Sequence, residues 1–184
     1  MSFTRFCCFI LLLAAAQNTS ISDEAVAVPP NEQLHAFELK TLDGETVDVS
    51  PADSGVTVVC FLGTECPLVQ LYSVRLSQMA DELRDRGVEF VGINSNFHDT
   101  SDDIRQYLQR QSLSFPLIRD EGNVVADRFG ATRTPEVFVL DHRLSVTYQG
   151  RIDDQYEPGV TRTQRPATTC ELRLRKRWPG RPCR

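Results

Sequence analysis

One cysteine, Cys66, stands where the sequence predicts that a helix begins. It lies four residues after the apolar run 56–62 and directly before Pro67, a residue well suited to the first helical position. Free backbone N–H groups and the positive end of the helix dipole favour a thiolate there. Because the thiolate is the reactive form of cysteine, Cys66 is a candidate nucleophile. The alternative is an inert thiol at the helix start.

Polar residues follow the next predicted strand and add a second candidate group. Asn94, Asn96 and His98 come directly after the run VEFVGI. Because the carboxyl ends of parallel strands share one edge of a sheet, these side chains are candidates to lie near Cys66. His98 would then be a possible base, and a solvated loop is the alternative.

The other cysteines are weaker candidates for the reactive thiol. Cys60 lies inside a predicted strand, which is typical of a buried small apolar residue and holds it away from Cys66. Cys170 and Cys183 are possible distant resolving thiols. No cysteine and histidine have the spacing of metal ligands, so the sequence predicts neither a metal nor a cofactor.

The elements that must position these residues alternate between strands and helices. Asp43-Gly44 separates two short extended runs, 35–40 and 45–49, which indicates a β-hairpin. The remaining predicted elements are strands Val56–Leu62, Val88–Ile93, Phe115–Ile118, Glu136–Leu140 and Ser145–Tyr148 and helices Pro67–Arg86, Ser101–Gln111 and Asn123–Phe129. This order predicts an α/β fold with a central mixed sheet flanked by helices and an N-terminal hairpin.

The first 16 residues have the pattern of a secretory signal peptide. A positive start is followed by the apolar run 6–16, which contains Cys7 and Cys8 and ends in three alanines. The run is shorter than the roughly 20 residues that span a bilayer. We therefore expect an exported protein with no integral membrane span after cleavage, and an uncleaved anchor is the alternative.

The remaining chain divides by composition into a linker, a domain and a tail. Residues 17–33 are polar and contain a proline pair, residues 34–164 carry the predicted elements, and residues 165–184 hold seven basic residues and one acid. The tail is interpreted as a disordered end or a basic arm. Residues 17–164 hold 24 acidic and 12 basic residues, which argues against a nucleic-acid partner. Asp153-Asp154 is interpreted as a surface turn or a substrate-facing acidic patch.

Five segments in this order resemble the redoxin branch of the thioredoxin superfamily, which holds the alkyl hydroperoxide reductase/thiol-specific antioxidant (AhpC/TSA) proteins. The segments are FELKTLDGETVDVS, VVCFLGTECPLV, GVEFVGINSN, FPLIRDEGNVVADRFG and TPEVFVLD. The resemblance implies a thioredoxin-like fold. It also implies that Cys66 is the attacking cysteine, that Pro135 is a cis-proline packed against it, and that Thr134 and Gly150 border the substrate.

The same resemblance indicates which reactions are open to the chain. Peroxidase members need a threonine before the cysteine and an arginine beside the thiolate, and Thr64 and Arg133 are the candidates here. Dithiol members carry a second cysteine three residues after the first, but this chain has Val69 at that position. The usual intramolecular dithiol cycle is therefore not available.

Together these features predict an exported thiol-dependent oxidoreductase that uses a single attacking cysteine, Cys66. Its reaction would be peroxide reduction or thiol–disulfide exchange. The expected partners are an external thiol reductant, a disulfide-bearing protein or a small peroxide. The alternative is a non-catalytic thioredoxin-like module that binds peptides or proteins.

Overall fold

The computed structural model describes residues 33–51, 55–153, 156–157 and 160–161. The predicted signal peptide and basic tail lie outside the described residues, as do Cys170 and Cys183 and nearly all of the linker. The strands are β1 Phe37–Lys40, β2 Thr46–Val49, β3 Val56–Phe61, β4 Val88–Asn94, β5 Leu117–Arg119, β6 Glu136–Leu140, β7 Val146–Gly150, β8 Tyr156–Glu157 and β9 Val160–Thr161. The helices are α1 Pro67–Arg84, α2 Ser101–Gln111 and α3 Val124–Phe129. None of these described helices is long and apolar enough to cross a membrane.

A five-stranded mixed sheet in the order β5-β4-β3-β6-β7 forms the centre of the fold. Strand β3 pairs in parallel with β4 and antiparallel with β6, and β7 adds an antiparallel edge. Strands β1 and β2 form a separate antiparallel hairpin at the N-terminal side. The predicted mixed sheet, flanking helices and N-terminal hairpin are thus confirmed.

The central strand β3 is covered on both faces. Val58 and Cys60 belong to one buried cluster with residues of α1 and α2. Val59 and Phe61 belong to a second cluster, which includes residues of α3 and of the hairpin. Since successive side chains of a strand point to opposite faces, both faces need apolar residues, and this explains the nearly unbroken apolar run.

The segment that leads into the thiol site is anchored by one aromatic residue. Phe129 is fully buried, and its ring makes edge contacts with Phe37, Phe61 and Phe138 at centroid distances of 5.9, 5.6 and 5.1 Å. Gly130 follows with a φ of 62°, a left-handed conformation that suits glycine, and ends α3. Phe129 and Gly130 therefore fix the place where the loop between α3 and β6 leaves the core.

Most of the predicted elements differ from the observed ones by one or two residues at an end, and only α2 and β6 agree at both ends. Helix α1 ends at Arg84 and is capped by Asp85, two residues before the predicted end. Strand β5 begins at Leu117, because Pro116 has no N–H group for the sheet and its carbonyl accepts from Gly92 N at 2.8 Å instead. Strand β7 extends to Gly150, which pairs with Val137.

Candidate functional site

The thiol of Cys66 lies at the start of α1. Cys66 is the N-cap residue with φ −71° and ψ 116°, and Pro67 occupies the first helical turn. Its side chain is half-buried, and the first turn of the helix contains no acidic residue. Because no side chain caps this helix, the N–H groups of its first turn and the positive end of its dipole lie next to the cysteine.

The loop before β6 forms the other side of the thiol site. Cys66 Sγ donates to the backbone carbonyl of Thr134 at 3.4 Å, across 68 residues of sequence. The Thr134–Pro135 peptide bond is cis, the geometry that the resemblance implies, and Pro135 is buried while Thr134 is exposed. A Cβ atom at Gly63 would lie 3.4 Å from Thr134 Oγ1 and 3.8 Å from Cys66 Cβ. A side chain at position 63 would therefore contact both segments.

A buried carboxylate that sequence reasoning missed holds the loop before Cys66. Asp99 is only 2% exposed, and its Oδ2 accepts from Thr64 N at 2.8 Å and from Asn94 Nδ2 at 2.6 Å. Its Oδ1 accepts from Asn96 Nδ2 at 3.0 Å. The available signal was the run of polar residues after β4, but only Asn94, Asn96 and His98 were singled out from it.

A second buried carboxylate, Glu136, holds the loop that carries Thr134. Glu136 is 1% exposed, and its Oε2 accepts from Thr132 N at 3.0 Å. Its Oε1 accepts from Gln149 Nε2 at 3.2 Å and lies 3.8 Å from Arg133 Nη2. The Arg133 side chain is 59% exposed. This guanidinium is thus paired with a buried carboxylate while much of it faces solvent.

The remaining predicted site residues have separate environments. Thr64 and Asn94 are buried and bind Asp99. His98 is exposed, and its ring makes an edge contact with the exposed Phe97 at 5.6 Å. Gly150 ends β7, and a Cβ there would lie 2.8 Å from the hydroxyl of Tyr148.

The two described cysteines differ sharply in environment. Cys60 is fully buried in the core, as predicted. Cys66 is a free, half-buried thiol. Val69 is fully buried one turn into α1. Within the described part of the chain, no group of three His, Cys, Asp or Glu side chains is arranged to hold a metal ion.

The predicted surface turn at Asp153 is wrong. Asp153 is 1% exposed, accepts from the hydroxyl of Tyr72, and forms an ion pair with Arg75. Both partners belong to α1, so this carboxylate joins the segment after β7 to that helix. Asp154 lies outside the described residues.

A buried tyrosine is electrostatically coupled to the thiol. Burial raises the pKa of Tyr107, the hydrogen bond with Ser73 lowers it, and the negative charge of the Cys66 thiolate raises it further. The Tyr107 and Ser73 oxygens lie 2.6 Å apart, and Ser73 Oγ donates to Val69 O at 2.7 Å. This chain of hydrogen bonds ends in the first turn of α1, close to the helix start that carries the thiol.

Tyr107→Phe is expected to reduce the loss of stability at alkaline pH. The unfolded chain loses this tyrosine proton near pH 10, so above that pH the folded state holds more protons. The contribution is therefore complete below about pH 10 and is lost as the pH rises through the raised pKa. Urea unfolding of both proteins at about pH 8 and about pH 10.5 measures the difference. Equal losses in the two proteins would contradict the raised pKa of Tyr107.

The mixed sheet, with a cysteine at the start of the helix after the central strand, defines a thioredoxin-like protein. The particular family follows from comparison with known sequences. The model of the AhpC/TSA family matches residues 30–149, and the chain belongs to this family.

The chain is similar to curated proteins of two kinds. The chain is 26% identical over 110 residues to the thiol-disulfide oxidoreductase ResA of Halalkalibacterium halodurans, covering 60% of this chain and 61% of the relative. It is 28% identical over 140 residues to the chloroplastic peroxiredoxin Q of Triticum aestivum, covering 72% of this chain and 60% of the relative. The chain thus spans about three fifths of the length of these relatives.

Solved structures support the same fold. A protein of Sinorhizobium meliloti 1021 matches with a TM-score of 0.69 and 27% identity, covering 80% of this chain and 82% of the other. An uncharacterized conserved protein of Geobacillus kaustophilus matches with a TM-score of 0.65 and 29% identity, covering 73% and 76%. A thiol:disulfide interchange protein DsbE from Chlorobium tepidum has a TM-score of 0.61 and 18% identity, covering 67% and 86%, and shows the fold alone.

Proposed function

We propose that this protein is an exported thiol-dependent oxidoreductase in which Cys66 is the single attacking thiol. The observation that carries the proposal is the position of Cys66 Sγ at the start of α1, 3.4 Å from the Thr134 carbonyl. The helix start places the sulfur beside backbone N–H groups that no side chain caps, and the exposed Thr134 presents backbone groups where a substrate sulfur would bind. The names of the relatives, thiol-disulfide oxidoreductase and peroxiredoxin, agree with this chemistry.

Thiol–disulfide exchange is the reaction that the geometry supports best. The Cys66 thiolate attacks one sulfur of a substrate disulfide, the S–S bond breaks, and the other sulfur leaves as a thiolate. The product is a mixed disulfide that a second thiol must resolve. Thr134, Pro135 and Gly150 are the proposed substrate face, and Thr64 positions the cysteine through its contact with Asp99.

Peroxide reduction is the second candidate, because Arg133 belongs to the same loop as Thr134 and four relatives are peroxiredoxins. Here the thiolate attacks one peroxide oxygen, the O–O bond breaks, and Cys66 becomes a sulfenic acid. The contact of Cys66 Sγ is with the Thr134 carbonyl, whereas the Arg133 guanidinium contacts Glu136, so this is the weaker candidate. His98 would serve as a base, and Cys170 or Cys183 as a resolving thiol, in either reaction.

Cys66→Ser should abolish reaction with disulfides, whereas Cys60→Ser should leave the rate unchanged because Cys60 is fully buried. The measurement is thiopyridone release from 4,4′-dithiodipyridine by the full chain, with the modified residue located by mass spectrometry. A parallel pulse of one equivalent of hydrogen peroxide tests for sulfenic acid at Cys66. If wild-type Cys66 reacts with the disulfide and with hydrogen peroxide no faster than free cysteine does, the non-catalytic binding module is favoured.

Export is tested separately from the chemistry. The full-length chain produced in a bacterial host is expected outside the cytoplasm, with a mature N-terminus near residue 17. N-terminal sequencing of the fractionated protein measures this. Recovery of the intact N-terminus in the membrane fraction would support the uncleaved anchor instead.

A further inference from the structure

A polar cavity lies beside the thiol site. It has a volume of about 340 Å³, within the size range of small-molecule sites. It opens between the carboxyl ends of β3 and β4 and the loop before β6. Its polar lining consists of Ser95, Asn96, Asn123, Thr132, Arg133 and Thr134.

The cavity reaches Cys66 through two residues. Thr134 lines the cavity and also accepts the hydrogen bond from Cys66 Sγ. A Cβ atom at Gly63 would lie 3.4 Å from Thr134 Oγ1, 3.8 Å from Asn96 Nδ2 and 3.8 Å from Cys66 Cβ. A Cβ atom at Gly63 would thus be in van der Waals contact with both the cavity lining and the cysteine, so the cavity and the thiol adjoin at this residue.

The lining indicates the charge of the ligand. Arg133 is the one charged residue of the described lining, and the others that are polar carry amides or hydroxyls. Glu136 forms the ion pair with the Arg133 guanidinium from a buried position, since it is 1% exposed. Its carboxylate also accepts hydrogen bonds from Thr132 N and Gln149 Nε2. Because a guanidinium has five N–H donors, one ion pair of 3.8 Å leaves donors for a ligand. A carboxylate is the group that such donors bind in a planar, paired geometry.

We propose that this cavity binds a small thiol carrying a carboxylate, and that this thiol replaces the second cysteine that Val69 excludes. The inference rests on the proposed reaction of Cys66 with disulfides. Arg133 holds the carboxylate, and the ligand sulfur reaches Cys66 beside Thr134 and Gly63. A thiol bound in this way lies next to the mixed disulfide, and it takes the role that a resolving cysteine of the chain would have.

The proposed cycle balances without any other reductant. The bound thiolate attacks Cys66 Sγ in the mixed disulfide, a new S–S bond forms, and the substrate sulfur leaves as a thiolate that takes up a proton. A second molecule of the small thiol then attacks the ligand sulfur, which releases the Cys66 thiolate and a symmetrical small disulfide. Two electrons thus pass from two small thiols to one substrate disulfide.

The test uses a full-length variant in which four cysteines are replaced by serine and only Cys60 and Cys66 remain. The substitutions are Cys7→Ser, Cys8→Ser, Cys170→Ser and Cys183→Ser. Treatment with 4,4′-dithiodipyridine should place one neutral pyridyl disulfide on Cys66 and release one equivalent of thiopyridone. Added 3-mercaptopropionate or 3-mercaptopropanol then releases the second equivalent, and the ratio of the two rates measures the preference for a carboxylate.

Arg133→Gln is expected to lower this ratio about three- to tenfold, the range for a partly exposed charge contact. Arg133→Lys should retain part of the preference. The control is Arg143→Gln, which removes the same charge from the turn after β6, and it should leave the ratio unchanged. Gly63→Ala adds a methyl group in contact with Thr134, Asn96 and Cys66, and it should slow the reaction of both thiols.

Two results would overturn the proposal in distinguishable ways. An equal ratio in wild type and Arg133→Gln, with normal formation of the pyridyl disulfide, rejects the carboxylate site and leaves the reactive cysteine standing. Failure of Cys66 to form the pyridyl disulfide in the first step rejects the proposed function itself. An equal fall of the ratio in Arg143→Gln would show that net charge, rather than the cavity, selects the thiol.

Discussion

Asp99→Ala should lower the free energy of unfolding by about 2–4 kcal/mol, because it leaves several buried donors without an acceptor. The donors are Thr64 N, Asn94 Nδ2 and Asn96 Nδ2, at 2.6–3.0 Å from the carboxylate. Since Thr64 lies two residues before Cys66, the loop that carries the thiol loses its tether. We therefore also expect slower reaction of Cys66 with 4,4′-dithiodipyridine, by about tenfold, the scale on which lost positioning slows a reaction.

Asp99→Asn tests whether the hydrogen bonds of Asp99 or its negative charge hold the loop before Cys66. An amide oxygen at the Oδ2 position keeps the bonds from Thr64 and Asn94, and only the contact with Asn96 becomes unfavourable. The expected loss is about 1 kcal/mol, with a Cys66 reaction rate close to that of wild type. Urea unfolding and thiopyridone release measure the two effects.

The matched control is Asp81→Ala, which removes an exposed carboxylate whose ion pair with Arg84 is 3.0 Å long. It should cost less than about 1 kcal/mol, because exposed ion pairs contribute little. An Asp99→Ala protein as stable and as reactive as Asp81→Ala would show that Asp99 does not position the thiol loop.

Glu136→Ala should have a comparable effect from the other side of the thiol site. It removes the acceptor of Thr132 N and Gln149 Nε2 and the partner of Arg133, at the buried start of β6. The expected loss of stability is about 2–4 kcal/mol. Because Thr134 belongs to the same loop, the reaction of Cys66 with disulfides should slow as well.

Glu136→Gln tests the role of the negative charge by itself. The amide keeps an acceptor in place, and the charge that faces Arg133 is removed. We expect a loss of less than about 1.5 kcal/mol in urea unfolding. The preference for 3-mercaptopropionate over 3-mercaptopropanol should rise about two- to fivefold, since the guanidinium is released for the ligand. A preference that falls, with the fold intact, would contradict the assignment of Arg133 to the carboxylate.

Much of the fold follows from local patterns in the chain. The apolar run of β3, the turn at Asp43-Gly44 and the polar first turn of α2 each indicate their element without knowledge of the rest. In α2 the Thr100 hydroxyl and backbone hydrogen bonds lower the pKa of Asp103, and this capping pair spans only three residues. Such patterns are readable because side-chain periodicity and capping act over one or two turns of chain.

The position of Cys66 at a helix start was likewise readable, since Pro67 and the preceding strand lie beside it in sequence. The burial of Asp99, Glu136 and Asp153 was not. Asp99 contacts Thr64 across 35 residues, and Asp153 contacts Arg75 across 78. A carboxylate in a loop looks the same in sequence whether it faces water or a buried donor.

The sequence by itself therefore determined the class of fold, the candidate nucleophile Cys66 and the valine, Val69, at the position of the second cysteine. Only the tertiary structure decided what surrounds that cysteine. Two buried carboxylates, Asp99 and Glu136, hold the loops on either side, and a cavity with one guanidinium opens beside them. The physical reason is that these contacts join segments distant in the chain, and only the packing of the sheet and helices brings their partners within hydrogen-bond distance.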